Sequence, residues 1–213
     1  ISTRLIGGII MTHGDNEGLV LPPAIAPIQV VIVPVAAHKP GVLEKAAEIA
    51  ETLKKAGLRV KLDDSDQSPG WKYAQYEMKG VPLRLEIGPR DIENGNCVLV
   101  RRDNREKTVV ALDNLVESTQ QMLKDFAKAI YEKAKANLEG NITPAHNIQE
   151  MKDILQKRVG FVKAMWCGDE HCEEVIKNET GMPSRCIPFE QEHIDDVCPV
   201  CGKPAKYMVI FRS

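Results

Sequence analysis

The sequence has 213 residues, of which 43% are hydrophobic and 27% are charged, and its formal net charge is −2. This composition is ordinary for a soluble globular protein. The overall charge gives no support for an RNA or DNA partner, so any nucleic acid must be held by local groups. No apolar run reaches the ~20 residues that span a bilayer, and the N-terminus lacks the features of a signal peptide, which favours a cytoplasmic protein without a membrane partner.

The first 27 residues are too short to form a domain. They combine an apolar, strand-like piece, RLIGGIIMTHGD, with a loop, NEGLVLPPAIAP. The sequence starts without a methionine and inside an apolar pattern, so we expect further residues upstream of Ile1.

A regular pattern of strands and helices starts at residue 28. The β-branched run over 28–35 predicts a strand buried on both faces. An apolar stripe over 40–57 predicts a helix, and alternation over 58–64 predicts a second strand. This strand–helix–strand order predicts that the two strands are parallel.

The same pattern continues to residue 140. Ser68 and Pro69 favour the start of a short helix over 68–80. Three strands are predicted next, followed by a long amphipathic helix, at 81–88, 96–103, 108–112 and 113–140. The expected fold class is α/β, with a mixed, mostly parallel sheet and flanking helices.

A linker over 141–147 separates this region from a small α+β region. A helix over 148–157, a strand over 160–166 and a last strand over 205–211 enclose a cysteine-rich segment. We therefore predict three parts, 1–27, 28–140 and 141–213.

Five of the six cysteines lie in this last part. Without a secretion signal, such a cluster favours a metal site over disulfides. Two pairs, Cys167 with Cys172 and Cys198 with Cys201, have the spacing of a structural zinc site. Tetrahedral thiolate coordination selects zinc or an iron–sulfur centre over magnesium or calcium, and four protein ligands leave a zinc ion no open position for catalysis.

Other uses of these cysteines are possible on the sequence alone. Cys186, His171 and His193 are spare candidate ligands, although Cys186 fits better at a strand edge. A redox dithiol in CPVC would need a strand–helix context, whereas a strand is predicted to follow. Cys97 lies within a strand pattern and is expected in the core.

Three stretches together resemble the prolyl-tRNA synthetases, in the type typical of archaea and the eukaryotic cytoplasm, which carries a zinc-binding C-terminal extension. They are STRLIGGIIMTHGDNEGLVLPPAIAPIQVVIVPV, SPGWKYAQYEMKGVPLRLEIGPRD, and CGDEHC with CPVCGKPAKY. The resemblance covers nearly the whole chain. It implies that 1–27 ends a class II catalytic domain, that 28–140 binds the anticodon, and that 141–213 is the zinc domain.

The resemblance also implies an activity. The full enzyme would be a homodimeric aminoacyl-tRNA ligase that activates L-proline with ATP and Mg²⁺ and transfers it to tRNA-Pro. The first two class II motifs are absent, so this chain alone would lack most of the active site. Arg4 matches the catalytic, ATP-contacting arginine of the third motif, and Ser2 matches a position that lines the nucleotide site. A fixed guanidinium stabilises the charge that develops as pyrophosphate leaves. Without the resemblance, Arg4 would be interpreted as an ordinary surface charge.

Anticodon-reading groups are implied by the resemblance at Glu77, Arg84, Arg90 and Asp91. Proline anticodons carry guanine at their second and third positions. The donors of guanine suit a carboxylate, its O6 and N7 suit an arginine, and splayed loop bases can be contacted in this way. Alternation in VPLRLEIG places Arg84 and Glu86 on one face of a strand, a face suited to a ligand. The alternative is a set of ordinary solvated charges.

Two further alternatives stay open at this point. Trp71 and Tyr73 are expected in the core, although both could stack on bases. The whole chain could instead be a freestanding, zinc-containing RNA-binding module without catalytic activity. Class II synthetase motifs upstream of Ile1 would distinguish the enzyme from this module.

Overall fold

The structure is a computed structural model that describes residues 2–157 and 160–212. The chain divides into two compact units, Ile1–Glu132 and Lys133–Ser213, and the boundary falls within the longest helix. The division into three parts made from the sequence stays a prediction. None of the helices in the described ranges combines the length and the apolar character needed to cross a membrane.

Helices and strands alternate along most of the chain. The helices of the described residues are α1 Arg4–His13, α2 Val42–Lys55, α3 Pro69–Met78, α4 Pro89–Glu93, α5 Leu115–Gly140, α6 Ile148–Lys157 and α7 Glu170–Thr180. The strands are β1 Gly14–Asp15, β2 Gly18–Leu19, β3 Val30–Pro34, β4 Val60–Leu62, β5 Leu83–Ile87, β6 Asn96–Arg101, β7 Lys107–Ala111, β8 Ile142–Pro144, β9 Phe161–Trp166, β10 Ser184–Cys186 and β11 Tyr207–Phe211. A 3₁₀ turn, Leu112–Asn114, precedes α5.

The first unit is built on a five-stranded sheet in the order β4-β3-β5-β6-β7. The pairs β3–β4 and β3–β5 are parallel, while β5–β6 and β6–β7 are antiparallel. The mixed α/β fold is therefore confirmed, with parallel pairs making up half of the sheet rather than most of it. The connection from Ile87 to Asn96 is too short for the crossover of a dozen or more residues that a parallel pair needs.

Both faces of this sheet are covered by apolar side chains. On one face Leu83, Leu85 and Ile87 pack with the buried side of α2. On the other face Val31 and Val33 pack with residues of α3 and with Val81, in a smaller cluster. Every residue of β3 is buried, which confirms the strand covered on both faces.

Helix α3 begins as the sequence predicts, because the Ser68 side chain accepts a hydrogen bond from the Trp71 backbone and Pro69 is its first residue. Its buried positions are Lys72 and Tyr76, four residues apart. Trp71 lies off this stripe and is 49% exposed, so its expected place in the core is wrong. Tyr73 is partly buried against the sheet.

Residues 4–13 form a helix, where the sequence suggested a strand-like piece. Leu5 and Ile9, and likewise Ile6 and Ile10, are four residues apart, which is a helical spacing. The β-branched residues and the two glycines have low helix propensity, so the sequence favoured a strand here in spite of this spacing. No residue of α1 is buried. A short hairpin, β1 with β2, follows this helix.

The second unit contains a four-stranded sheet in the order β10-β11-β9-β8. Strand β11 pairs antiparallel with β9 and β10, and β8 pairs parallel with β9. Strand β8 lies inside the predicted linker, and α7 lies inside the cysteine-rich segment, where no helix was predicted. Cys186 ends the exposed edge strand β10, and Cys97 of the first unit is fully buried, both as expected.

Candidate nucleic-acid interface and metal centre

Glu77 and Arg84 lie in direct contact. Glu77 is near the end of α3, and Arg84 is the second residue of β5. Arg84 Nη1 donates to Glu77 Oε1 at 2.7 Å, and Arg84 Nε donates to Glu86 Oε1 at 2.9 Å. The guanidinium carbon lies 3.9 Å from the ring centroid of Tyr73. Two carboxylates and an aromatic face therefore hold this guanidinium in place.

The side chains of Arg84, Glu86 and Glu77 differ in how much of their surface is exposed to solvent. The side chain of Arg84 is 11% exposed, that of Glu86 is 13% exposed and that of Glu77 is 28% exposed. Two of the nitrogens of Arg84 already donate to carboxylates. Glu77 thus offers the most accessible acceptor, while Arg84 mainly orients its two partners.

Alternation along β5 predicts that Glu86 lies on the same face as Arg84, but the sequence indicates no role for Glu86. In the structure it links Arg84 to two more groups. Its second oxygen lies 3.9 Å from the ammonium of Lys107. Burial, and then the charge of Glu86, raise the pKa of Tyr73 to about 12, so the phenol stays protonated at neutral pH and can donate to Glu86. Arg84 and Glu86 are two residues apart in an alternating strand, and this spacing is the sequence signal that could have indicated their contact.

Arg90 and Asp91 form a separate group in α4. Asp91 Oδ2 accepts from the Gly88 backbone N–H at 2.8 Å and so caps the start of this helix. Arg90 is exposed. Within residues 2–157 and 160–212, no hydrogen bond or ion pair joins this group to Glu77 or Arg84. The helix follows the end of β5, whereas Arg84 lies near the start of that strand.

Ser2 and Arg4 lie at the start of α1, and both are exposed. The Ser2 carbonyl accepts from the Leu5 backbone N–H at 3.1 Å, which extends the first turn of the helix. Arg4 makes no ion pair with any part of the chain that the structure describes. The nucleotide roles of Ser2 and Arg4 stay predictions.

The four predicted cysteine ligands come together in the second unit. Their sulfur atoms all lie within 4.8 Å of one another, and Cys201 Sγ is 3.7 Å from Cys167 Sγ. A tetrahedral zinc site with Zn–S bonds of about 2.3 Å requires sulfur–sulfur distances of about 3.8 Å. Cys167, Cys172, Cys198 and Cys201 are therefore close enough to hold a metal ion.

Three local structures bring these sulfurs together. Cys167 follows β9, and Cys172 lies in the first turns of α7, which is capped by the Asp169 side chain. Cys198 and Cys201 lie in a tight turn before β11, in which the Cys198 backbone N–H donates to the Lys203 carbonyl at 2.9 Å.

The electrostatics of the cluster suit a cation. Burial raises the pKa of Cys172, and it also raises that of Cys167. A hydrogen bond from the Lys203 backbone lowers the pKa of Cys201 to about 7. Crowded, buried thiols resist ionisation on their own, and a divalent cation would compensate their charge. In the described ranges, the metal-capable cluster includes none of Cys186, His171 and His193.

Two family models match the chain. Residues 29–122 match the one described as "Anticodon binding domain", and residues 148–212 match the one described as "Prolyl-tRNA synthetase, C-terminal". The Glu77–Arg84 pair and α4 lie in the first matched range, and the cysteine cluster lies in the second.

Curated relatives named proline–tRNA ligase are similar over almost the whole chain. The protein of Clostridium botulinum (strain Okra / Type B1) is 57% identical over 209 residues, covering 98% of this chain and 44% of the relative. The protein of Ruminiclostridium cellulolyticum is 56% identical with the same coverage. The protein of Lachnospira eligens is 53% identical over 208 residues, covering 98% of this chain and 43% of the relative. The chain spans less than half the length of the curated relatives that it matches.

Proposed function

Because this chain belongs to the prolyl-tRNA synthetases and corresponds to their C-terminal portion, we propose that it reads the anticodon of tRNA-Pro. In this proposal the full enzyme is a cytoplasmic homodimer that activates L-proline with ATP and Mg²⁺ and then transfers it to the tRNA. The observation that supports anticodon reading best is the contact between Glu77 and Arg84 inside the range matched to the anticodon-binding domain.

The proposed reading of guanine uses both ends of β5. Glu77 has one oxygen held by Arg84, which leaves its other oxygen for the N1–H and N2–H donors of one guanine. Arg84 keeps the carboxylate oriented. Arg90 is exposed and suits O6 and N7 of the other guanine, with Asp91 beside it. Two separate groups of residues thus correspond to two bases, which an unstacked anticodon loop can present apart from each other.

Two further roles belong to the proposal. Ser2 and Arg4 contribute to the ATP site of the full enzyme, where the guanidinium of Arg4 stabilises the charge of the departing pyrophosphate. The four cysteines bind one structural Zn²⁺, which cross-links the turn before β11 to the end of β9 and to α7. The tight convergence of the four sulfurs, with backbone donors aimed at them, supports this assignment.

The test is charging of tRNA-Pro transcripts by the full-length enzyme at fixed salt. We expect adenine in place of guanine at the second or third anticodon position to lower kcat/KM by about 5- to 150-fold, the equivalent of 1–3 kcal/mol for each lost contact. Transcripts changed at the first anticodon position are the matched control and should be charged normally. Equal charging of all the transcripts would show that this portion does not read the anticodon.

A further inference from the structure

Arg102 connects two distant parts of the first unit through one guanidinium. Its Nη1 and Nη2 donate to the two oxygens of Asp15 at 2.9 and 2.7 Å. Its Nε donates to the main-chain carbonyl of Glu77 at 2.9 Å. The side chain is only 3% exposed. One buried group thus holds both the β1–β2 hairpin and the backbone of the proposed anticodon reader.

The surrounding backbone is packed too closely to move independently. A Cβ on Gly18 would lie 2.4 Å from the Cα of Met78, and one on Gly80 would lie 2.6 Å from the Cβ of Leu19. Both glycines have positive φ, which side chains disfavour. The Leu21 backbone N–H also donates to the Gly80 carbonyl at 3.3 Å. The hairpin therefore lies flush against the end of α3.

We propose that Arg102 is a positioning residue for anticodon recognition, which sets the place of Glu77 by holding its backbone against the Asp15 hairpin. This inference rests on the proposed function of Glu77. The guanidinium is suited to the task because its planar fork fixes three hydrogen bonds in one geometry, which the single ammonium of a lysine cannot reproduce. A carboxylate that reads a base must be held to within about 0.5 Å by the residues that support it.

The same contacts place Asp15 in the recognition machinery although it is remote in sequence. Asp15 and Arg102 are separated by 87 positions. The hydrogen bond from Arg102 is the main cause that holds the pKa of Asp15 below its ordinary value. The hairpin that carries Asp15 directly follows α1, the helix that begins at Arg4. In this proposal, anticodon recognition depends on the docking of the Asp15 hairpin as well as on Glu77 itself.

The test compares anticodon discrimination among variants of the full-length enzyme. The readout is the ratio of kcat/KM for tRNA-Pro transcripts with guanine or adenine at the second and third anticodon positions. This ratio does not depend on the fraction of active enzyme in each preparation. We expect Arg102→Lys to lower it about tenfold, since small displacements of a supporting group have effects of this size or larger. Asp15→Asn should lower it in the same direction by roughly threefold, because one of its two acceptors is kept.

Arg101→Lys is the matched control, because Arg101 is the neighbouring arginine and its guanidinium pairs bidentately with Asp103 rather than with Asp15 or Glu77. It should leave the ratio unchanged. An unchanged ratio in both Arg102→Lys and Asp15→Asn, even with a lowered melting temperature, would reduce Arg102 to a stability role and overturn the inference. An equal loss in Arg101→Lys would overturn it as well.

Two results keep the inference separate from the proposed function. If the wild-type enzyme does not discriminate, the proposed function fails and takes the inference with it. Suppose instead that the wild type prefers guanine transcripts and that Glu77→Gln loses this preference. If the Arg102 and Asp15 variants then keep the preference, only the inference fails. Should Arg102→Lys not fold, Asp15→Asn still decides, because that side chain is 43% exposed and the change is isosteric.

Discussion

Replacing Glu77 by glutamine should weaken the recognition of guanine, although it removes a negative charge near a polyanion. The reason lies in the neighbouring arginine. Arg84 Nη1 is 2.7 Å from Glu77 Oε1 and can only donate, so the carbonyl oxygen of the glutamine will occupy that position. Its NH₂ group will then replace the free carboxylate oxygen and meet the N1–H and N2–H donors of guanine. The NH₂ donor of the glutamine will then face the N–H donors of guanine, and no hydrogen bond can form between them.

Two opposing effects decide the size of the change. Loss of the contact with guanine costs about 1–3 kcal/mol, or roughly 5- to 150-fold in discrimination. Removal of the charge gains about 0.5 kcal/mol for a phosphate roughly 8 Å away in water, and salt reduces this further. The free energy lost with the guanine contact is therefore larger than the free energy gained by removing the charge, even at the lower limit of about 1 kcal/mol. Glu77→Gln should therefore lower kcat/KM for the natural transcript and bring it closer to that of the adenine transcripts.

The assay is charging of guanine and adenine transcripts by the full-length enzyme at two salt concentrations. Glu48→Gln is the matched control, because this carboxylate lies on α2, is 65% exposed and pairs with Lys45 in the same helix. It should leave discrimination unchanged. If Glu77→Gln behaves like Glu48→Gln, or charges the natural transcript better than the wild type does, Glu77 is an ordinary surface carboxylate and the reasoning fails.

Four further predictions concern the nucleotide, the metal, the core and pH. Arg4→Ala in the full-length enzyme should slow ATP–pyrophosphate exchange more than about tenfold, and an unchanged rate would exclude its role. Cys198→Ser should abolish stoichiometric zinc in elemental analysis and should increase hydrogen exchange only in the residues after 160. A wild-type protein without bound metal would contradict the proposed zinc site. Leu85→Ala should lower the free energy of unfolding in urea by about 2–5 kcal/mol, because this side chain is fully buried, and a loss below about 1 kcal/mol would disprove its packing. In the folded state the hydrogen bond from Arg102 lowers the pKa of Asp15 below its ordinary value of 3.8. The ion pair therefore stabilises the folded protein at pH values above 3.8, and this stabilisation is lost as the pH falls through the lowered pKa. Asp15→Asn should therefore flatten the acid limb of the stability profile, and an unchanged limb would refute the pairing.

Local signals explain which elements could be predicted from the sequence. The β-branched run of β3 and the cap at Ser68 depend on residues close in sequence, and both were confirmed. Helix α7 has equally local signals, an Asp169 cap at its start and Gly181 with positive φ at its end. Cys172 lies within this helix, and the metal-ligand spacing that the sequence shows there does not by itself predict a helix. Strand β8 has only three residues and depends on its pairing with β9, which no local pattern encodes.

The candidate sites were predictable to different degrees for the same reason. Cysteine pairs carry their spacing in the sequence, and the structure brings those four sulfurs together. The contact between Glu77 and Arg84 depends on how α3 packs on the sheet, so the sequence could propose the residues but not their ion pair. Arg102 had no sequence signal, because its partner Asp15 is separated from it by 87 positions. Contacts over such distances are set by tertiary packing.

The strand order of the second unit has a consequence for its synthesis on the ribosome. Strand β11 lies between β9 and β10, yet it is the last of the four strands to be made. Before Tyr207–Phe211 has emerged, β9 has only the short β8 as a neighbour and β10 has none. The main-chain groups of β9 that pair with β11 then stay unpaired, which leaves an open strand edge for contact with other chains. Cys198 and Cys201 emerge just ahead of β11, so the last two candidate metal ligands and the central strand become available within the same short interval.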